Sequence, residues 1–469
     1  MEKINLRQHL ILLVCSLLIF SACKKSIVNQ NQAGAEPRLK NQSSVSAAPV
    51  TNTHNLNVIY FIPSDNPALP NYKSRISNLL FNFQDFMSAE MLRNGYAAKT
   101  FGLSVNDSSQ VNIITIYGQY GQANYSYANA STTVIAELNT YKAAHPGEFS
   151  SDHNLIILPL RTDGGSTPFF GSGRNCFAVD YNGLDVANLS TTTSNLMAGM
   201  LHELGHGLGL PHNKQHVSEA STLGTTLMGA GNTTYGRSAT FLSAADCAIL
   251  NTNQVFQSST SATFYGAVTT TLKTYANTNP YDGNIYVRGK FSSSSPVTNV
   301  IYYLDPNVNN EGVGVNKDYN ANAFRSEVIG TDSLNIVIPV AELQVKGTTP
   351  YELKIKLVCE NGTVVTYTYN FDFVNDVPQF STTAQFYQHC SYGGWTASLP
   401  IGNYTKAQMA ALGLVDNDLS SFKLPYGLKV TLYKDDNFAG ASSTFTGGQS
   451  CLSGGFNDTV SSIKVSYNN

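Results

Sequence analysis

One stretch constrains this chain more than any other: His202-Glu203-Leu204-Gly205-His206-Gly207-Leu208-Gly209-Leu210-Pro211-His212. Leu196, Met197, Met200, Leu201, Leu204 and Leu208 recur at helical spacing, and Thr193 or Ser194 stands where a helix cap belongs. On that helix His202 and His206 are four residues apart, so both imidazoles project from one face. Two such rings can share a zinc ion. Glu203 lies beside the first, placed to accept a proton from an activated water without binding the metal itself. Gly209 can take the left-handed conformation that ends a helix in a sharp turn. Pro211 then keeps the helix from resuming. The returning chain can deliver His212 to the same ion, and three imidazoles leave one coordination position open, as a catalytic zinc requires.

This stretch resembles the metzincin metalloproteases, whose pattern is HExxHxxGxxH followed by a methionine-containing turn. Thr225-Thr226-Leu227-Met228-Gly229 is similar to that turn, with Met228 sixteen residues after His212. The resemblance implies an α+β metzincin-like catalytic domain over residues 54–258, with zinc as cofactor and Met228 as an apolar floor rather than a ligand. It also implies a protein or peptide substrate, extended along an edge strand for which Phe177 to Asp180 is the candidate. Astacin-like and serralysin-like members carry a tyrosine two residues after the methionine. Here that position is Ala230, with Tyr235 out of register, so a fifth ligand is unsupported. Reprolysin-like members place Asp after the third histidine, where this chain has Asn213.

The flanking sequence fits such a domain. Asn57 to Ile62, Val111 to Tyr117 and Leu155 to Leu160 read as strands, and Tyr72 to Met87 as an amphipathic helix that Gly95 can end. Ser243 and Asp246 are spaced as a capping box for another helix. His145 and His153 lack ligand spacing and read as surface or loop residues, and His216, four past His212, reads as solvent-facing because three histidines already complete the zinc site. Asp163-Gly164-Gly165 reads as a turn.

Lys3 and Arg7 precede an apolar run from Leu10 to Phe20, too short to span a bilayer, and Phe20-Ser21-Ala22-Cys23 follows. This is similar to a bacterial lipoprotein signal over residues 1–22, with Phe20 departing from the usual leucine. It implies lipidation at Cys23, export, and attachment to the outer membrane or cell surface. Residues 23–53 read as a polar, flexible tether. Export permits disulfides. Cys176–Cys247 and Cys390–Cys451 each fall within one expected domain, leaving Cys359 unpaired. A net charge of −3 gives no electrostatic basis for nucleic-acid binding.

Only 13% of the 469 residues are charged, while 37 are Gly and 26 are Tyr. That balance suits short strands and turns, and the pattern along the chain changes character after residue 258. Asn284 to Phe291, Val297 to Leu304, Ser333 to Ile338, Tyr351 to Cys359 and Thr363 to Phe373 alternate apolar and polar residues, with Glu360-Asn361-Gly362 a hairpin turn. An all-β, immunoglobulin-like sandwich over 259–380 is the natural closure. Residues 383–469 carry a repeat: Tyr387, Tyr392 and Gly394 match Tyr433, Phe438 and Gly440 in spacing. Asp416-Asn417-Asp418-Leu419-Ser420-Ser421 and Asn457-Asp458-Thr459-Val460-Ser461-Ser462 follow the two copies. The pattern resembles a βγ-crystallin domain of two Greek-key motifs. The resemblance implies calcium ligation by Asn417, Ser420, Asp458 and Ser461, whose oxygens suit a hard cation.

The sequence therefore reads as a multidomain, lipid-anchored, monomeric zinc endopeptidase with Glu203 as general base. Two alternatives stand beside it: a surface-attached binding protein with a vestigial protease domain, and a zinc hydrolase acting on a non-peptide amide. Zinc content separates the binder from the enzymes.

Overall fold

A computed structural model describes residues 52–159, 167–191, 195–258, 263–277, 281–309, 318–380, 382–425 and 428–467. The expected signal segment, Cys23, nearly all of the tether, Thr193, Ser194 and Asp163-Gly164-Gly165 lie outside them. The chain is multidomain and mostly β, with helices concentrated in its first part. Among the described residues no helix is long and apolar enough to cross a membrane.

The first strand, β1 (Asn57–Ile62), is buried at every position, as an interior parallel strand must be. Then come α1 (Tyr72–Arg93), β2 (Ile113–Tyr117), α2 (Ala130–Ala144), β3 (Asn154–Leu158), β4 (Phe170–Ser172) and β5 (Asn175–Val179). The sheet order is β2-β1-β3-β5-β4. All neighbours are parallel except β4, which runs antiparallel to β5. Alternate side chains divide between two cores. Val58, Tyr60, Leu155 and Cys176 pack with α1, whereas Ile59, Phe61, Ile156 and Phe177 pack with α2. Gly95, at φ +83, follows the end of α1.

Two expectations need correction here. The segment from Phe177 to Asp180 is no edge: β5 lies between β3 and β4, its four residues from Cys176 to Val179 buried on both faces. The edge is β4. Cys176 and Cys247 are separately buried free thiols. Each fills core space instead of bridging.

The chain continues through α3 (Asn195–Gly207), α4 (Val217–Thr222), β6 (Thr225–Thr226), α5 (Gly231–Thr234), β7 (Thr240–Phe241) and α6 (Ala244–Thr252). Ser243 and Asp246 form the capping box of α6, each side chain bonding the other's backbone amide.

Next come β8 (Thr270–Asn277), β9 (Asn284–Ser293), β10 (Val297–Pro306), β11 (Asn322–Glu327), β12 (Ser333–Pro339), β13 (Pro350–Cys359), β14 (Val364–Val374) and β15 (Val377–Phe380). They form two antiparallel sheets, β11-β10-β13-β14-β15 and β12-β9-β8. Val300, Tyr302, Leu353 and Ile355 of the first enclose one core with Ile285, Val287 and Leu334 of the second. The opposite face of the first sheet is equally apolar: Ile301, Tyr303, Ala321, Ala323 and Val358 enter the core that holds α1, α3 and α6.

The last strands are β16 (Thr383–His389), β17 (Gly393–Pro400), β18 (Gly402–Tyr404), β19 (Ser421–Lys423), β20 (Leu428–Tyr433), β21 (Ser442–Phe445) and β22 (Ser462–Tyr467), with α7 (Lys406–Ala411) between β18 and β19. They pair as β17-β16-β19 and β18-β22-β20-β21 around a core of their own. The sequence repeat becomes a repeated corner. Tyr387 meets Tyr392 edge-on at 5.4 Å and Tyr433 meets Phe438 at 5.8 Å. Gly394 and Gly440 sit at φ +76 and +74. The second serine of each acidic stretch pins its corner: Ser421 Oγ donates to His389 O, and Ser462 Oγ to Asp435 O. A disulfide joins Cys390 to Cys451. Trp395 packs against this core while its indole N–H donates to Asp418 at 3.0 Å.

Candidate active site

Helix α3 ends at Gly207, and Gly209 at φ +90 turns the chain back toward it. His202, His206 and His212 thereby converge, with one ring nitrogen from each lying within 4.8 Å of the others. Two of the rings are oriented by backbone carbonyls. His202 Nδ1 lies 2.7 Å from Leu227 O, and His206 Nδ1 lies 2.8 Å from Leu210 O. A carbonyl only accepts, so each Nδ1 carries the proton and each Nε2 presents a lone pair. His206 Nε2 and His212 Nε2 stand 3.0 Å apart, close to the roughly 3.3 Å that two ligands of a tetrahedral zinc require. Burial keeps the rings neutral, lowering His202 to about 4 and His206 in the same direction. Convergent neutral nitrogens fit a borderline-soft divalent ion such as zinc.

Glu203 shares the cleft with these rings. Burial raises its carboxyl to about 7, opposed by a hydrogen bond from the Gly171 amide. Gly171 belongs to edge strand β4. Gly171 also allows the strand's close approach to α3, since a Cβ there would sit 2.3 Å from His206 Cβ. Met228 is fully buried against the same helix, its Sδ 2.4 Å from where a Cβ on Gly205 would stand. Asn213 is buried next to His212. Its amide donates to Asp246 Oδ1 at 2.7 Å, and its carbonyl accepts from Thr226 Oγ1 at 2.8 Å, tying the returning chain to α6 and to the methionine turn.

The remaining histidines divide. His145 is exposed and stacks on Tyr141. His153 is not a surface residue: it is 2% exposed, bonded to Gly207 O at 2.8 Å and to the Tyr265 hydroxyl at 2.6 Å. His216 does not face solvent either, because it stacks on Phe324 at 4.1 Å and reaches Ala323 O. Both packing partners come from distant sequence, where spacing rules cannot see them. Tyr235 is committed to Asn82 on α1 through its hydroxyl.

The cleft holds about 620 Å³. Spacing did not single out its walls: Tyr127, Phe169 and Phe170 on one side, Lys214, Tyr319 and Asn320 on another. Only their aromatic and polar character is visible in the sequence, and that is common to the whole chain.

In the last domain the four expected oxygen donors pair across the repeat rather than within each stretch. Ser420 Oγ donates to Asp458 Oδ1 at 3.0 Å, and Ser461 Oγ to Asn417 Oδ1 at 3.3 Å. Asn417 and Asp458 hold matching left-handed conformations, φ +56 and +52.

No family model matches the chain. Among solved structures, catalytically inactive OgpA from Akkermansia muciniphila, in complex with an O-glycopeptide (glycodrosocin) substrate, aligns at 32% identity and TM-score 0.66, over 71% of this chain and 97% of that one. A βγ-crystallin domain from Flavobacterium johnsoniae is 41% identical over 18% of this chain and 96% of its own, at TM-score 0.18. Development-specific protein S of Myxococcus xanthus is 46% identical over 74 residues, 16% of this chain. The match spans only 42% of that curated relative's length.

Proposed function

We propose, for a chain that belongs to the same family as OgpA, the function of a zinc-dependent endopeptidase of metzincin type that cleaves O-glycosylated peptides. The observation that carries this reading is the convergence of three imidazoles beside a half-buried carboxylate, in a cleft bordered by a sheet edge. His202, His206 and His212 would hold the ion. A zinc bound there supplies a Lewis acid that polarises the scissile carbonyl and acidifies the attacking water.

The protein's own groups do the rest. Glu203 takes the proton from the water and returns it to the departing amine. Its partial burial raises its affinity for the proton. Strand β4 offers its outer edge to an extended peptide, which pairs through backbone hydrogen bonds. The OgpA crystal contains an O-glycopeptide, and the cleft's aromatic wall of Tyr127, Phe169 and Phe170 suits the apolar face of a sugar.

The rest of the chain serves this centre. We read residues 259–380 as an immunoglobulin-like sandwich and 383–469 as a βγ-crystallin-like module binding calcium through Asn417, Ser420, Asp458 and Ser461. Lipidation at Cys23 would hold the enzyme at a bacterial surface. The test is digestion of an O-glycopeptide and its unglycosylated counterpart, followed by mass spectrometry with and without a chelator. Chelator-sensitive cleavage of the glycosylated form is expected. No cleavage, or cleavage indifferent to chelation, would contradict the reading.

A further inference from the structure

We infer that the β-sandwich is a working part of the metal site: strand β11 and the turn before it fix His212, with Tyr319 as the positioning residue. This rests on the reading of the three histidines as metal ligands.

His202 and His206 are oriented from within the first domain, by Leu227 O and Leu210 O. The chain leaving His212 is instead laid along the sandwich. Lys214 N donates to Ala321 O at 2.7 Å. The Asn322 amide donates to Lys214 O at 3.2 Å and to Gln215 O at 2.9 Å. His212 itself is covered by Tyr319, whose ring lies 3.6 Å from the imidazole centroid to centroid, at an interplanar angle of 21°. A flat ring at that distance restricts the imidazole to one plane, which is what a ligand aimed at a fixed ion needs.

The turn that presents Tyr319 is itself anchored. Asp318 holds φ +64, a conformation that needs support in a non-glycine residue. Its carboxylate meets Lys354 Nζ at 2.5 Å and Lys356 Nζ at 3.7 Å. Lys354 also grips the fully buried Asp305 at 2.8 Å. Both lysines stand on β13, inside the sandwich sheet. Rigid strands thus determine where Tyr319 sits, and Tyr319 determines the plane of His212.

The test measures zinc affinity of the full chain by competition with a calibrated chelator, alongside metal-free melting temperature. Tyr319→Phe keeps the stacked ring and should bind zinc within two-fold of the natural protein. Tyr319→Ala should bind about 10-fold more weakly, the usual scale of loss for an outer-shell partner, with kcat falling and KM little changed. Asn322→Ala, which leaves the ring in place but removes the bonds to 214 and 215, should also weaken zinc and provides a second reading if Tyr319→Ala fails to fold. The inference is overturned if both alanine variants hold zinc as tightly as the natural chain. It is also overturned if Tyr319→Phe loses as much as Tyr319→Ala, because the hydroxyl and not the ring would then be at work. A natural chain that fails to bind zinc overturns the functional reading itself, which separates the two failures.

Discussion

Glu203 is half-buried and His153 buried, and both are shifted by burial, yet they call for different tests. Glu203 faces the cleft, and its removal should be felt by the reaction alone. Glu203→Ala should cut peptide cleavage by at least about 10³-fold, between the typical worth of general acid–base catalysis and the loss of an essential base, while zinc content stays at the natural level. Elemental analysis run beside the digestion checks both halves. His153 faces the core. Its neutral ring is fully served, donating from Nδ1 to Gly207 O and accepting at Nε2 from the Tyr265 hydroxyl. Burial lowers it from 6.5 to about 4. Between those values the unfolded chain binds a proton that the folded chain does not, so stability falls as the pH drops through that window. The full loss is on the order of 3 kcal/mol and does not grow below it. Urea midpoints at pH 7 and pH 4.5 should therefore separate more in the natural protein than in His153→Gln.

The contrast also shows what was legible. The three histidines and Glu203 lie close in sequence, and helix geometry alone brings two of the rings together. His153 finds its partners 54 and 112 residues away, so nothing local marked it as buried. The same holds for Tyr319, 107 residues from His212.

At the scale of elements, glycine does the work that spacing implied. Gly209 at φ +90 has open space where a side chain would sit. Gly209→Ala should therefore cost only backbone strain, about 1–3 kcal/mol. Because the same turn delivers His212, the loss in urea unfolding should be larger with zinc present than without it. Equal losses would separate the turn from the metal.

Strands with strong alternation were legible: β9, β10, β12, β13 and β14 stand close to where the pattern put them. Strand β11 was missed. Asn322-Ala323-Phe324-Arg325-Ser326-Glu327 looks polar because it is an edge whose outer neighbour is the loop after His212. The error at Phe177 to Asp180 has a related cause. An apolar run marks a strand but not its place in the order, and only β4, a short Phe-Gly-Ser segment, completes that sheet.

Across the whole molecule, the cores predict how the chain unfolds. The first domain and the sandwich share apolar packing through Ile301, Tyr303, Ala323 and Val358, whereas residues 384–465 close a core of their own. Calorimetry should show the first two melting together and the last one separately. Replacing Cys390 and Cys451 by serine opens a 61-residue loop. It should lower the last transition by on the order of 2–4 kcal/mol and leave peptide cleavage unchanged. Calcium should raise that same transition, and Asp458→Ala should abolish the increase.

The most direct measurement of the central claim is a zinc titration of chelator-stripped protein while O-glycopeptide cleavage is followed. The account predicts no cleavage at the start, a linear rise, and a plateau at one equivalent of zinc per chain. Full cleavage by the stripped protein, or a zinc response that survives His212→Ala undiminished, would contradict it.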